Sequence, residues 1–172
     1  SAGSGQLDEK TRRLMAQMHK AVSLLQFKLE AETYLRHPEW KMEERAQLYF
    51  PTPSPLTDAE RELVKKLRHS FRVSEKLQGH MQLLLSHGSM YNICNGNLLF
   101  HASIPLNDDG SLREVMEMGS GRELLENIET TIRAAFQNDT EPEERRNAID
   151  FFLYLWCGPD SPLFNKSKMA TF

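Results

Sequence analysis

The sequence predicts a predominantly helical chain with one small β-hairpin, which places it in the α+β class. Three observations support this prediction. Apolar residues recur at spacings of three and four over long stretches, candidate capping boxes begin at Thr57 and Thr140, and the dipeptide Asn95-Gly96 separates two short apolar runs. The first two signals are typical of amphipathic helices, and the third is a strong local signal for a tight hairpin.

The first predicted helix begins after Asp8, a good N-cap residue, and ends near Arg36, because His37-Pro38 disfavours further helix. Its apolar stripe is formed by Leu14, Met18, Val22, Leu25 and Leu29. A short second helix is expected from Glu39 to Leu48. The proline-rich stretch 51–56 that follows is a connector that cannot be helical.

Beyond the connector the sequence predicts three further helical stretches. The capping box 57–60 opens the first, which could break at 70–74 and which ends at Gly88, a suitable residue for a left-handed helix cap. The second follows the glycines at 119–121. The capping box 140–143, with proline in its first turn, opens the third, which ends at a Gly-Pro dipeptide.

These elements suggest four segments. We expect residues 1–7 to be a leader or linker outside the fold, and residues 8–50 to form an N-terminal helical segment. Residues 51–56 are the proline-rich connector, and residues 57–172 hold a helix, the hairpin and the C-terminal helices. The sequence ends at Phe172 without a terminating signal, and we therefore expect a fragment of a longer protein.

The composition argues against several classes of partner. The chain has 172 residues, of which 40% are hydrophobic and 26% charged, and its net charge is −3. A slightly acidic chain lacks the excess of basic residues that binds nucleic acid or an anionic membrane. In addition, no apolar run approaches the roughly 18 residues of a membrane span. We therefore expect neither partner. Cys94 and Cys157 have apolar neighbours and are expected to be reduced and mostly buried, which favours a cytoplasmic location.

The hairpin leads into the residue of greatest chemical interest. Asn95-Gly96 suits a type I′ turn, which needs positive φ at both central residues. The run Leu98-Leu99-Phe100 is continuously apolar, as in a strand that is buried on both faces, and His101 follows it directly. Open α/β sheets place ligands at such strand ends. On this pattern alone, His101 is either a ligand residue or a histidine whose ring is satisfied structurally, and both interpretations stay open.

No other motif predicts catalysis. The run 156–159, Trp-Cys-Gly-Pro, is similar to the start of a redox motif, but Asp160 stands where the resolving cysteine would be needed. The acidic clusters at helix starts are explained by the helix dipole. The chain contains no glycine-rich phosphate loop, no G-x-S-x-G and no His-Glu-x-x-His motif.

Several strings are nevertheless too specific to be generic. The chain resembles the middle of bacterial class III fructose-1,6-bisphosphatases in the strings 18–21, 88–91, 95–101, 104–107 and 155–164. The resemblance covers nearly the whole chain after residue 7. That family belongs to the calcineurin-like metallophosphoesterases, so the resemblance implies a central fragment of an α/β metallophosphoesterase, a β-sandwich fold with two metal ions between its layers.

The resemblance implies a function for the parent enzyme: hydrolysis of the 1-phosphate of fructose 1,6-bisphosphate in gluconeogenesis, by two-metal activation of water. By position, His101 is similar to the family's intervening metal-ligand histidine, and manganese is the expected metal. A neighbouring carboxylate or carbonyl should accept a hydrogen bond from the other ring nitrogen of His101 and so fix the orientation of the ring. The string Leu155-Trp156 resembles the Leu-Trp-Ser-Asp-Pro loop of related protein phosphatases.

The family's remaining metal motifs are of the types G-D-x-H, G-D-x-x-D-R-G and G-N-H-D/E, with a late G-H. The first three types are absent from this sequence, and no G-H follows His101. We therefore expect the chain alone to be inactive and to bind no metal, with the rest of the phosphatase chain as its main partner. Two alternatives stay open: a non-catalytic helical regulatory or interaction module, and a metallophosphoesterase with a different substrate. An uncovered hairpin edge would also favour homo-oligomers.

Overall fold

The computed structural model describes residues 8–45, 54–137 and 140–164. The chain divides into two compact units, one ending at Ser70 and the other beginning at Phe71. It is mostly helical and carries a two-stranded antiparallel sheet, which confirms the predicted helical class with a small hairpin. None of the helices in the described parts is long and apolar enough to cross a membrane.

The described elements are, in chain order, α1 (Glu9–Arg36), a 3₁₀ helix (Pro38–Trp40), α2 (Asp58–Arg72), α3 (Glu75–His87), β1 (Tyr91–Cys94), β2 (Asn97–Phe100), α4 (Gly121–Ala134) and α5 (Pro142–Cys157).

Helix α1 has the predicted ends. Asp8 Oδ1 accepts a hydrogen bond of 2.9 Å from the backbone N–H of Thr11, as an N-cap should, and the helix stops before His37. The apolar stripe is buried unevenly, however. Leu25 is 5% exposed, whereas Leu14 and Met18 are 55% and 58% exposed.

The predicted helix from Glu39 is wrong at its beginning. The chain forms a 3₁₀ turn there, and the next residue, Lys41, is left-handed with φ 54°. The His37 ring stacks on Trp40 with centroids 4.2 Å apart, which favours this compact turn over a continuous helix. Residues 43–45 are helical, and the rest of the predicted helix lies outside the described residues, as do residues 51–53 of the connector.

Helix α2 begins with the predicted capping box. Thr57 N–H donates to Glu60 Oε2 at 2.7 Å, and Glu60 N–H donates to Thr57 Oγ1 at 3.3 Å. Lys28 of α1 adds a 2.8 Å bond from Nζ to the same carboxylate. The Lys28 bond and then the Thr57 N–H lower the Glu60 pKa to about 2, so this carboxylate ties α2 to α1 in its ionised form.

The expected break between α2 and α3 is confirmed, since Ser74 caps α3 by accepting from the Leu77 N–H. The expected left-handed cap at Gly88 is wrong, because this glycine is extended with φ −75° and ψ 150°. A Cβ on Gly88 would collide with the Leu84 carbonyl oxygen. Space, and not positive φ, therefore favours glycine here.

Helices α4 and α5 pack together and supply much of the core of the second unit. Leu124 and Ile128 of α4 are each 1% exposed, and Leu155 of α5 is 2% exposed. The predicted capping box at Thr140 is wrong. Glu141 precedes Pro142 as the cap residue, and the Thr140 hydroxyl donates instead to the Ala134 carbonyl at the end of α4.

The hairpin has the predicted turn but not the predicted burial. Asn95 and Gly96 have φ of 51° and 76°, which confirms a type I′ turn, and Cys94 pairs with Asn97 across it. The run 98–100 is 43–53% exposed, so the prediction of a strand buried on both faces is wrong for this chain. Cys94 is exposed for the same reason, because its sheet has two strands in the part of the chain described.

Candidate functional site

His101 is exposed and lies directly after β2, at the strand end that the sequence predicts. The segment that follows it is anchored to the loop after α5, because the Ser103 N–H donates to the Pro162 carbonyl at 3.1 Å. The backbone around the histidine is therefore held between the hairpin and this loop.

An apolar cavity of about 510 Å³ opens beside His101. The side chains that line it with His101 come from α4, α5 and the segment after α5: Ile132, Phe152, Leu155, Trp156, Leu163 and Phe164. The structure thus brings together two of the strings that the sequence singles out, the one ending at His101 and the one beginning at Leu155. The sequence offers no signal for Ile132, which is distant from both strings along the chain.

The loop 158–164 that forms one wall is fixed by internal hydrogen bonds. The Ser161 hydroxyl is buried, donates to the Leu155 carbonyl at 2.7 Å and accepts from the Leu163 N–H at 3.2 Å. The Gly158 N–H donates to the Tyr154 carbonyl at 2.5 Å. One buried serine thus connects the last turn of α5 to the cavity wall.

A charged pair holds the outer side of the same loop. Arg113 Nη1 lies 2.8 Å from Asp160 Oδ1, with the two side chains 38% and 39% exposed. Burial, and to a lesser degree the Asp160 charge, raises the pKa of Tyr154 to about 12, against a backbone hydrogen bond from Asp160. The sequence alone does not predict a role for Arg113, because its partner Asp160 lies 47 residues further along the chain.

The described residues do not form a metal centre by themselves. No group of three or more His, Cys, Asp or Glu side chains among them could hold an ion. Among the described residues, no group forms a hydrogen bond with the His101 ring, so the expected orienting carboxylate or carbonyl is not found there. His101 is the single sequence-predicted ligand, and the described residues add no co-ligand to it.

The helical chain with a strand-end histidine beside Leu155-Trp156 belongs to a phosphatase family. The family model described as Firmicute fructose-1,6-bisphosphatase matches residues 2–51 and 49–172, and the chain belongs to this family.

Curated relatives carry the name fructose-1,6-bisphosphatase class 3. The chain is 45% identical over 195 residues to the protein of Bacteroides fragilis, and 44% identical over 196 residues to those of Parabacteroides distasonis and Clostridium botulinum. Each comparison covers 96% of this chain but 29% of the relative. The chain therefore spans less than a third of the length of these relatives. No solved structure matches it.

Proposed function

We propose that this chain is part of an enzyme that hydrolyses the 1-phosphate of fructose 1,6-bisphosphate, a reaction of gluconeogenesis. The observation that carries the proposal is the family match, because relatives named fructose-1,6-bisphosphatase class 3 are 44–45% identical along 96% of the chain. The activity is assigned to the full-length protein, since the chain covers 29% of those relatives.

His101 is the residue we assign to the metal site of that enzyme. Its exposed imidazole at a strand end can reach an ion, and a neutral imidazole binds manganese, iron or zinc without adding negative charge beside a phosphate. A divalent pair, with manganese as the proposed metal, would clamp the phosphate and lower the pKa of an attacking water.

The described residues are too few for such a pair, because they include no ligand cluster. The remaining ligands must therefore come from elsewhere in the full-length protein, and the chain by itself is proposed to be inactive. The exposure of the run 98–100 supports a related proposal: in the full-length protein the hairpin joins the larger sheet of a metallophosphoesterase fold.

Two further proposals concern the protein's surroundings. Cys94 and Cys157 are not joined in a disulfide, and this supports a cytoplasmic location. Where the larger sheet is missing, the open hairpin edge favours homo-oligomers of the chain.

A paired assay tests the proposed activity. Phosphate and fructose 6-phosphate would be measured after adding fructose 1,6-bisphosphate and Mn²⁺ to the full-length protein and, separately, to this chain. We expect turnover by the first and none by the second. Hydrolysis of other phosphosugars only would contradict the substrate, and a full-length protein without any phosphatase activity would favour a regulatory module. Turnover by the chain alone would contradict the incomplete site.

A further inference from the structure

Trp156 is conspicuous because its large apolar side chain is 73% exposed, the highest exposure among the large hydrophobic residues described. Its neighbours along the chain behave in the opposite way, since Leu155 and Cys157 are 2% and 1% exposed. The Trp156 indole is therefore exposed on the last turn of α5, whereas the side chains on either side of it are buried. Exposed apolar surface beside a cavity is a common mark of a binding site.

The turn that carries Trp156 is rigid. Cys157 Sγ donates to the Leu153 carbonyl at 3.1 Å, and the Leu155 carbonyl accepts from the buried Ser161 hydroxyl. Gly158 packs so closely that a Cβ there would lie 2.6 Å from the Tyr154 ring. Because the backbone here is already ordered, a ligand that contacts the indole would lose little binding free energy in ordering it.

The cavity chemistry indicates which part of a ligand fits. Its volume of about 510 Å³ is in the usual range of small-molecule sites, and apart from His101 the side chains that line it are aliphatic or aromatic. A phosphate group would find no counter-charge along the Ile132 and Phe152 walls. The C–H face of a sugar ring suits them better, because the negative face of an indole attracts positively polarised C–H groups.

We propose that Trp156 binds the sugar ring of the phosphosugar substrate by stacking, with the His101 end of the same cavity nearest the reacting phosphate. The inference rests on the proposed function, since it takes the substrate class from there. It assigns Trp156 as a residue that determines the preference of the enzyme for a cyclic sugar.

Kinetics of the full-length enzyme test the inference, with Trp156→Ala, Trp156→Phe and the matched control Phe71→Ala. Phe71 is 63% exposed and does not line the cavity. We expect Trp156→Ala to raise KM for fructose 1,6-bisphosphate about five- to tenfold, with kcat, Tm and the inhibition constant of inorganic phosphate nearly unchanged. Trp156→Phe should restore most of the affinity, and Phe71→Ala should behave as wild type.

Several outcomes would overturn the inference. An unchanged KM in Trp156→Ala would contradict it while leaving the proposed function intact. If Trp156→Ala raised the inhibition constant of inorganic phosphate as much as it raised KM, Trp156 would contact the phosphate group and not the sugar ring. A fall in Tm with unaltered KM would mean that the indole packs against another part of the protein. A wild-type enzyme that does not hydrolyse fructose 1,6-bisphosphate would contradict the proposed function and, with it, the inference.

Discussion

The α4–α5 pair and the β1–β2 hairpin lie in the same unit, yet they bury their apolar side chains to very different degrees. Leu124 and Ile128 of α4 are 1% exposed. Leu98 and Leu99 of β2 are 45% and 53% exposed, although the strand is as apolar as the helix face. The two helices cover each other, whereas the hairpin has no further described strand beside it.

This difference supports the proposal that the hairpin packs against a further part of the full-length protein, whereas α4 and α5 cover each other within this unit. A two-stranded hairpin in water is marginally stable, and three or more strands or a packed helix are usually needed. A hairpin that lacks part of its packing agrees with a chain that spans 29% of the length of its relatives. It also explains why a strand so apolar in sequence is exposed here.

The sharpest way to break this comparison is one substitution made in both regions. Leu124→Ala should reduce the free energy of unfolding by about 2–5 kcal/mol, because it opens a cavity in a closed core. Leu99→Ala removes the same atoms from an exposed site and should change it by less than about 0.5 kcal/mol. Denaturant unfolding of this chain measures both. Similar losses in the two variants would show that the hairpin is packed in solution.

A second test concerns the connection between the two regions. The Arg133 guanidinium donates to the Leu85 carbonyl and, at 3.3 Å, to that of Gly88, just before β1. Arg133→Ala should cost about 1.5–3 kcal/mol, since charged hydrogen bonds to two carbonyls are lost. Arg122→Ala is the control, because its pair with Glu126 is exposed to solvent and should contribute little to stability. If both variants lowered the melting temperature equally, Arg133 would not anchor the segment before β1.

The turn of the hairpin gives a third, smaller effect. Gly96 has φ 76° and nothing near its missing Cβ, so Gly96→Ala should cost about 1 kcal/mol through backbone strain alone. Gly79→Ala, in the open interior of α3, should instead stabilise by about 0.5–1 kcal/mol. Amide hydrogen exchange in β1, β2 and α3 reports both locally. Unchanged exchange in the hairpin after Gly96→Ala would mean that it is not formed.

The fourth effect appears mainly at high pH. The folded-state pKa of Tyr154 is about 12, above its ordinary 10.0, chiefly because of burial. Its stabilising contribution is therefore complete below pH 10 and is lost as the pH rises through about 12. Tyr154→Phe should remove this alkaline loss and cost about 1 kcal/mol at neutral pH, where the phenol accepts from Asp160 N–H. Identical alkaline melting curves of wild type and variant would contradict the assignment.

The elements that the sequence predicts well depend on neighbouring residues. The Asp8 cap, the Thr57 capping box and the Asn95-Gly96 turn all involve groups within four residues of each other, and all form as expected. Thr140 fails for a reason that sequence cannot supply. Its hydroxyl meets the carbonyl of Ala134, which the folded chain brings close enough to compete with the helix N–H groups.

The sequence predicts some residues of the candidate site and not others. His101 is marked by its place after an apolar run and by the family resemblance, and the cavity beside it brings in Leu155 and Trp156. Ile132 and Arg113 carry no motif, because their contributions depend on contacts far along the chain. Burial of the hairpin depends on what covers it, and a local pattern contains no information about that.

The most direct test of the central claim is the metal content of the full-length protein. We expect His101→Ala to lose bound manganese and phosphatase activity together, as measured by elemental analysis and phosphate release. His80→Ala removes an exposed histidine of α3 that lies outside the cavity, and it should retain both. Full manganese content in His101→Ala would contradict the account and remove His101 from the metal site.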